Sequence, residues 1–194
     1  KPKVADYPFT TLVPNLGVVS LGMERSFVMA DVPGLIEGAS EGAGLGFRFL
    51  KHLSRTRLLL HLVDVLPADS TDPIESAKQI TRELKKFSPS LAAKERWIVL
   101  NKVDLLDDKA VDVLEAALKV ELGWQKPIYK ISAINQYGCG DLCQQLMESI
   151  ESHRQKIIDD EDYRKEQSQQ EKAMAFEIRR TIESSKNNRE NWDD

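Results

Sequence analysis

The feature that most constrains this chain is the alternation of short apolar runs, rich in β-branched residues, with amphipathic stretches. The run LLLHLVDV at residues 58–65 is nearly continuous, as expected of a strand buried on both faces. The predicted strands are 16–21, 26–31, 58–65, 97–100 and 128–132, and the predicted helices are 45–56, 73–87, 111–122 and 142–157. Strands that alternate with helices of this length predict an α/β fold, a doubly wound and mostly parallel sheet with flanking helices. The functional loops are then expected at the carboxyl ends of the strands.

The C-terminal residues 159–194 differ in composition from the rest of the chain. The chain carries 31 acidic and 27 basic side chains, and the acidic excess lies in this segment. Because the segment is charge-dense and poor in apolar residues, it buries too little surface to offset its ordering entropy. We predict a domain over residues 1–158, followed by a charged, polar and mobile tail with patchy helicity.

Several classes of function are disfavoured by composition. The remaining body is electrically neutral, so a nucleic-acid partner would have to meet a local patch. Cys139 and Cys143 have neither zinc-binding nor C-x-x-C spacing, and the three histidines are scattered. No stretch approaches the roughly 20 apolar residues of a membrane span, and no secretory signal is visible. We therefore predict neither a histidine or cysteine metal site nor a transmembrane segment.

The strongest chemical signal is NKVD at residues 101–104, directly after the predicted strand WIVL. The Asp104 carboxylate can accept hydrogen bonds from the ring N1–H and the 2-amine of guanine, whereas adenine offers an acceptor and no amine. Sites of this kind discriminate by about 10⁴–10⁵. Lys102 would lie along one face of the base, and Asn101 would tie neighbouring loops together. Alone, the pattern also occurs by chance in exposed turns.

Three further motifs, each beside a predicted strand, strengthen this interpretation. In SAI, residues 132–134, a backbone N–H can donate to the guanine 6-oxygen. In DVPG, residues 31–34, the carboxylate can hold a water of Mg²⁺, and the glycine N–H can approach a γ-phosphate. In FTTLVP, residues 9–14, a threonine hydroxyl can ligate Mg²⁺. Together with NKVD, these motifs predict a GTP site that uses Mg²⁺ as its cofactor.

The order and composition of these motifs resemble the Obg family of ribosome-associated P-loop GTPases. The resemblance rests on ADYPFTTLVPNLGVV at residues 5–19 and DVPGLIEGASEGAGLGFRFLKHLSRT at residues 31–56, and it covers about residues 1–158. It implies a Ras-like fold with Thr11 as a direct Mg²⁺ ligand and Asp31 as a ligand through water. The implied nucleotide-binding residues are Phe9, Thr10, Thr11, Leu12, Val13, Asp31, Val32, Pro33, Gly34, Asn101, Lys102, Val103, Asp104, Ser132, Ala133 and Ile134.

The same resemblance implies the partners of the protein. They are GTP and GDP, with guanosine tetraphosphate as an alternative ligand that presents the same base, and the large ribosomal subunit with its rRNA and proteins. The implied role is maturation of that subunit, linked to growth and stress control. A cytoplasmic, partly ribosome-associated monomer is expected.

Two departures qualify this expectation. A P-loop GTPase needs G-x-x-x-x-G-K-[ST], but residues 1–194 contain no Gly-Lys dipeptide. The GAGLG segment at 42–46 lacks the lysine and is interpreted as a flexible switch hinge. In this family the P-loop and first strand would precede Lys1, so we expect an incomplete GTPase domain that is inactive alone and binds nucleotide weakly. Leu35 follows DVPG where a water-orienting glutamine often lies, so slow hydrolysis is expected, and no residue is assigned as catalytic.

Alternatives from other classes stay open. If the P-loop is truly absent, the chain is a non-hydrolysing guanine-nucleotide sensor or a ribosome-binding module. An ATP- or NAD-dependent enzyme is disfavoured by NKVD and SAI together. The basic face formed by Arg48, Lys51, His52 and Arg55 is either a solvated surface or an RNA-phosphate contact.

Overall fold

The computed structural model describes residues 15–31 and 53–190, which form an antiparallel hairpin and a parallel sheet flanked by helices. The strands are β1 (Asn15–Ser20), β2 (Ser26–Asp31), β3 (Leu59–Asp64), β4 (Arg96–Asn101) and β5 (Ile128–Lys130). The helices are α1 (Pro73–Phe87), α2 (Pro89–Ala93), α3 (Asp108–Leu122), α4 (Cys139–Asp159) and α5 (Glu161–Glu190). The predicted order is confirmed for the five strands and for α1, α3 and α4, whereas α2 was not predicted. Most of the predicted helix 45–56 lies outside the described residues.

The hairpin of β1 and β2 is closed by a tight turn. Gly22, with φ 128°, adopts a backbone conformation that L side chains rarely reach. The Leu21 N–H donates to the Arg25 carbonyl over 2.9 Å. Arg25 also donates two hydrogen bonds of 2.9 Å to the Glu151 carboxylate of α4. The hairpin is therefore held against the helical layer by a bidentate ion pair.

The parallel sheet has the order β3-β4-β5. α1 joins β3 to β4 and starts at Asp72, whose side chain accepts from the Ile74 N–H over 2.8 Å. α3 joins β4 to β5 and ends at Gly123, a left-handed residue with φ 59°. The register pairs Asp64 with Asn101, so the carboxyl ends of β3 and β4 lie at one edge.

The core lies on both faces of the central strand β4. Ile98 and Leu100 are fully buried on one face, where they pack with Leu118 of α3. Val99 is fully buried on the other face and packs with Met147 of α4. Layers on both sides of a parallel sheet are the doubly wound arrangement that the sequence predicts.

The prediction that the run at 58–65 is buried on both faces is wrong for one face, whose residues are partly buried or exposed. Leu59, His61 and Val63 are buried, but Leu62 is 53% exposed. Alternate residues of a strand point to opposite faces. The face of β3 that bears Leu62 is therefore less completely covered than the run of apolar letters suggests.

Residues 161–190 form one helix, α5, where the sequence predicts patchy helicity. Met174 and Ile178 are buried, and they pack with Leu84 and Leu91 of α1 and α2. Between them, Glu177 accepts hydrogen bonds from Ser88 Oγ (2.6 Å), Ser90 N–H (3.0 Å) and Ser90 Oγ (2.7 Å). The mobility of the tail and the domain boundary at residue 158 stay predictions. Within the described ranges, every helix is too short or too polar to cross a membrane.

A buried histidine in β3 gives the fold a pH dependence. The His61 ring is buried, and neither of its nitrogens has a hydrogen-bond partner within the described residues. Burial, together with the smaller effect of the positive charge of Arg96, lowers the pKa of His61 to about 4. Between about pH 6.5 and 4 the unfolded chain therefore binds a proton that the folded chain does not, and stability falls as the pH falls.

We expect this histidine to contribute about 2 kcal/mol to the loss of unfolding free energy between pH 7 and pH 5. Urea titrations at both pH values should show this loss in the wild type and not in His61→Leu. His153 is only partly buried, and burial also lowers its pKa. His153→Gln should therefore reduce the loss by less than His61→Leu does. An equal pH dependence in wild type and His61→Leu would contradict the assignment.

Candidate functional site

The segment after β4 is shaped by an unusual backbone conformation. Lys102 is left-handed, with φ 66° and ψ 32°, which is uncommon for a residue other than glycine. The Val103 N–H then donates to the Ile131 carbonyl over 3.2 Å. A short 3₁₀ turn, Val103–Leu105, follows and carries Asp104. The backbone of NKVD is thereby attached to the strand segment beside it, and Asp104 is exposed.

A side-chain hydrogen bond joins the two motifs predicted to recognise guanine. The Asn101 Oδ1 accepts from the Ala133 N–H over 3.1 Å. Ser132 is fully buried, and its Oγ accepts from the Asn135 N–H over 3.3 Å. Its own N–H donates to the Tyr137 carbonyl over 3.0 Å. NKVD and SAI, about thirty residues apart in sequence, therefore form one connected edge.

An acceptor and a donor of the predicted guanine motifs stay available at this edge. Among the described residues, the Asp104 carboxylate makes no hydrogen bond or ion pair, and the same holds for the Ile134 N–H. Ile134 itself is 84% exposed. The Ala133 N–H is already used by Asn101. The donor left in SAI is therefore the N–H of Ile134.

An acid that the sequence analysis missed lies beside this edge. Asp64, the last residue of β3, pairs with Lys102 through Oδ2 and Nζ at 2.5 Å. Its other oxygen accepts from the Leu66 N–H over 3.0 Å. The available signal was an acid at the end of the apolar run at 58–65. Only the parallel register shows that this acid reaches the lysine of NKVD.

A glycine was also missed, and it closes the SAI loop. Gly138 caps the N-terminus of α4 with φ 68°. A Cβ at this position would lie 2.3 Å from the Lys130 carbonyl oxygen. The Gly138 carbonyl accepts from the Leu142 N–H over 3.0 Å. The close approach lets the chain leave β5, form the loop and enter α4 within a few residues.

The predicted phosphate and magnesium side is described only in part. Asp31 ends β2, and its side chain is exposed. In residues 15–31 and 53–190, no cluster of three or more His, Cys, Asp or Glu side chains could hold a metal. The predicted residues outside the described ranges are Phe9, Thr10, Thr11, Leu12, Val13, Val32, Pro33, Gly34, Leu35, the hinge 42–46, Arg48, Lys51 and His52. These assignments stay predictions.

The sequence matches a family model described as a 50S ribosome-binding GTPase over residues 1–102. The match covers more than half of the chain. The chain belongs to this family. In this member of the family the matched region includes FTTLVP, DVPG and the first two residues of NKVD, whereas Asp104 and SAI follow it.

The fold of this family member is similar to a solved structure of Era in complex with MgGDPNP and nucleotides 1506–1542 of 16S ribosomal RNA. The TM-score is 0.55 at 19% sequence identity, and the alignment covers 75% of this chain and 47% of that chain. The chain thus spans about half the length of the protein it matches. The likeness confirms the predicted α/β class, with a parallel three-stranded sheet and flanking helices.

Proposed function

We propose that this chain is the base-recognising part of a GTP-dependent molecular switch that acts on the large ribosomal subunit, of the Obg type. The observation that carries the proposal is the hydrogen bond between Asn101 and Ala133. It connects the NKVD segment, which carries the exposed carboxylate of Asp104, to the SAI loop. In that loop the N–H of Ile134 has no partner within the described residues. These are the acceptor and the donor that the guanine edge requires.

Guanine recognition follows from the chemistry of these groups. An ionised carboxylate is an acceptor with two oxygens, so Asp104 can accept from N1–H and the 2-amine together. The Ile134 N–H can donate to the 6-oxygen. Adenine presents a donor at the 6-position and an acceptor at N1, so both groups would be mismatched. A mismatch that leaves polar groups unpaired accounts for strong selectivity.

The phosphates would be bound on the side where β2 ends. Mg²⁺ uses one or two carboxylates together with waters and substrate phosphates, and the single exposed carboxylate of Asp31 fits that mode. Thr11 would ligate the ion directly, and the bound ion would supply positive charge next to the phosphates. Phe9, Thr10, Leu12 and Val13 would flank the nucleotide, as would residues 32–34.

Switching and slow hydrolysis complete the proposal. A γ-phosphate would order Thr11 and Gly34, and its loss would release both segments. Leu35 cannot hydrogen-bond the attacking water, so the intrinsic rate should be slow. A partner can raise GTPase rates by about 10³–10⁵. The ribosomal subunit is the partner that the family description favours, and the Obg-like segments 5–19 and 31–56 favour a role in its assembly and in growth or stress control.

A second candidate is a non-hydrolysing guanine-nucleotide sensor or ribosome-binding module. It would apply if the complete protein lacked G-x-x-x-x-G-K-[ST], the motif that residues 1–194 do not contain. Both candidates share base recognition and the cytoplasmic, ribosome-associated location. They differ in whether phosphate is released from GTP when large ribosomal subunits are added.

The proposal is tested by titrating the 194-residue chain with GDP, ADP and XDP, followed by NMR of its backbone amides. We expect weak binding of GDP, with shifts concentrated at Asp104 and Ile134, and still weaker binding of ADP. The exposed acid Asp112 of α3 provides the matched control, because Asp112→Asn should leave the preference unchanged. Equal binding of GDP and ADP would show that this edge does not recognise guanine.

A further inference from the structure

Asp64 lies at the edge that carries the proposed base site. It ends β3 and is paired with Asn101 in the parallel register. The Val65 N–H donates to the Asn101 carbonyl over 3.1 Å, so the two strand ends are hydrogen-bonded to each other. The backbone of Asp64 therefore cannot move away from NKVD without separating β3 from β4.

The orientation of this carboxylate is fixed by its two different partners. Oδ1 accepts from the Leu66 N–H over 3.0 Å, two residues further along the chain. Oδ2 is left to face Lys102, whose Nζ lies 2.5 Å away. An aspartate that bonds the backbone two residues ahead forms a local turn. The acceptor for the lysine is thus held in place by the turn.

Lys102 depends on this acceptor more than an ordinary surface lysine would. Its backbone is fixed, because the residue is left-handed and its carbonyl accepts from the Leu105 N–H over 3.0 Å. Its side chain is 45% exposed, and four torsions are free to rotate. The pair with Asp64 restricts those torsions and directs the alkyl stem from the end of β4 toward the end of β3.

We propose that Asp64 is a positioning residue for base recognition, which holds the Lys102 stem as a preformed wall of the purine site. This inference rests on the proposed function, and it adds a residue that acts through Lys102 and not by touching the base. A wall that is ordered before the ligand arrives lowers the entropy lost on binding. Selectivity for guanine stays with Asp104.

The direction in which one substitution changes the affinity for GMP separates this role from a simple charge effect. Asp64→Asn removes a negative charge near an anionic ligand, and this effect alone would strengthen binding of GMP. Loss of positioning would weaken binding. For a partly exposed pair we expect the affinity for GMP to fall about twofold to fivefold, with the ratio of GMP to XMP affinity unchanged.

The experiment is an NMR titration of the full 194-residue chain with GMP, AMP and XMP. Asp64→Glu keeps the charge and should recover most of the lost affinity. Lys102→Met keeps the stem and removes its charge, so Asp64→Asn should cause no further loss of GMP affinity in that background. Asp112→Asn removes the charge from a different exposed ion pair, in which Asp112 Oδ1 lies 2.7 Å from Lys130 Nζ. This variant should leave the affinity for GMP unchanged.

Each outcome bears on the proposal. Unchanged or higher GMP affinity in Asp64→Asn overturns it, as does an equal loss in the Lys102→Met background. In the free protein, relaxation of the Lys102 side chain should show increased motion in Asp64→Asn, and unchanged motion also overturns the proposal. If the wild type binds GMP no better than AMP, the proposed function itself fails. If the wild type prefers GMP to AMP but Asp64→Asn binds GMP as tightly as the wild type, only this inference is overturned.

Discussion

Asp104→Asn should shift the preference of the proposed site from guanine to xanthine nucleotides. In the proposed site the carboxylate would accept two hydrogen bonds from guanine, whereas an amide offers one acceptor and one donor. Xanthine carries an oxygen in place of the 2-amine and retains N1–H, so the amide matches it. We expect the ratio of GDP to XDP affinity to fall by on the order of 100-fold, below the limit of about 10⁴–10⁵ known for such sites.

Competition between GDP and XDP on the 194-residue chain measures this ratio directly. Asp108→Asn makes the same charge change four residues further along the chain, in the first turn of α3, and should leave the ratio unaltered. An equal loss of affinity for both nucleotides in Asp104→Asn would mean that the carboxylate supports the loop and does not contact the base.

Gly138→Ala should be the most destabilising glycine substitution in the described part of the chain. The residue has φ 68°, and the added Cβ would lie 2.3 Å from the Lys130 carbonyl oxygen. A left-handed L residue costs about 1–2 kcal/mol. Displacing packed backbone adds about 1–3 kcal/mol. We expect a loss of about 2–5 kcal/mol in the free energy of unfolding, measured by urea denaturation.

Two other glycines separate these contributions. Gly123 has φ 59°, and a Cβ added there would lie in open space. Gly123→Ala should therefore show the conformational cost alone, about 1–2 kcal/mol. Gly140 has a helical backbone and equally open space, so Gly140→Ala should be neutral or stabilising by up to about 1 kcal/mol. If Gly138→Ala costs no more than Gly123→Ala, the close approach to Lys130 is not a constraint on the loop.

The guanine motifs show how far sequence reasoning reaches. Residue types and their position after predicted strands identified Asp104 and SAI as candidates for base recognition. The sequence predicted that Asn101 connects neighbouring loops. It did not predict that the partner is the Ala133 N–H, because that contact depends on the register of β4 against β5. The motif does not specify this register.

The sequence by itself determined the class of the fold, since the alternation of apolar runs and helical periodicity is a local property of the chain. It determined the helix 73–87 to the residue, because Asp72 and Pro73 are strong local start signals. Only the tertiary structure decided which distant residues meet. The pairing of Asp64 with Lys102, the burial of Ile178 in a charged helix and the need for glycine at position 138 all depend on packing between segments. The local sequence pattern depends on the spacing of side chains along one segment. It does not specify which residues of a distant segment those side chains contact.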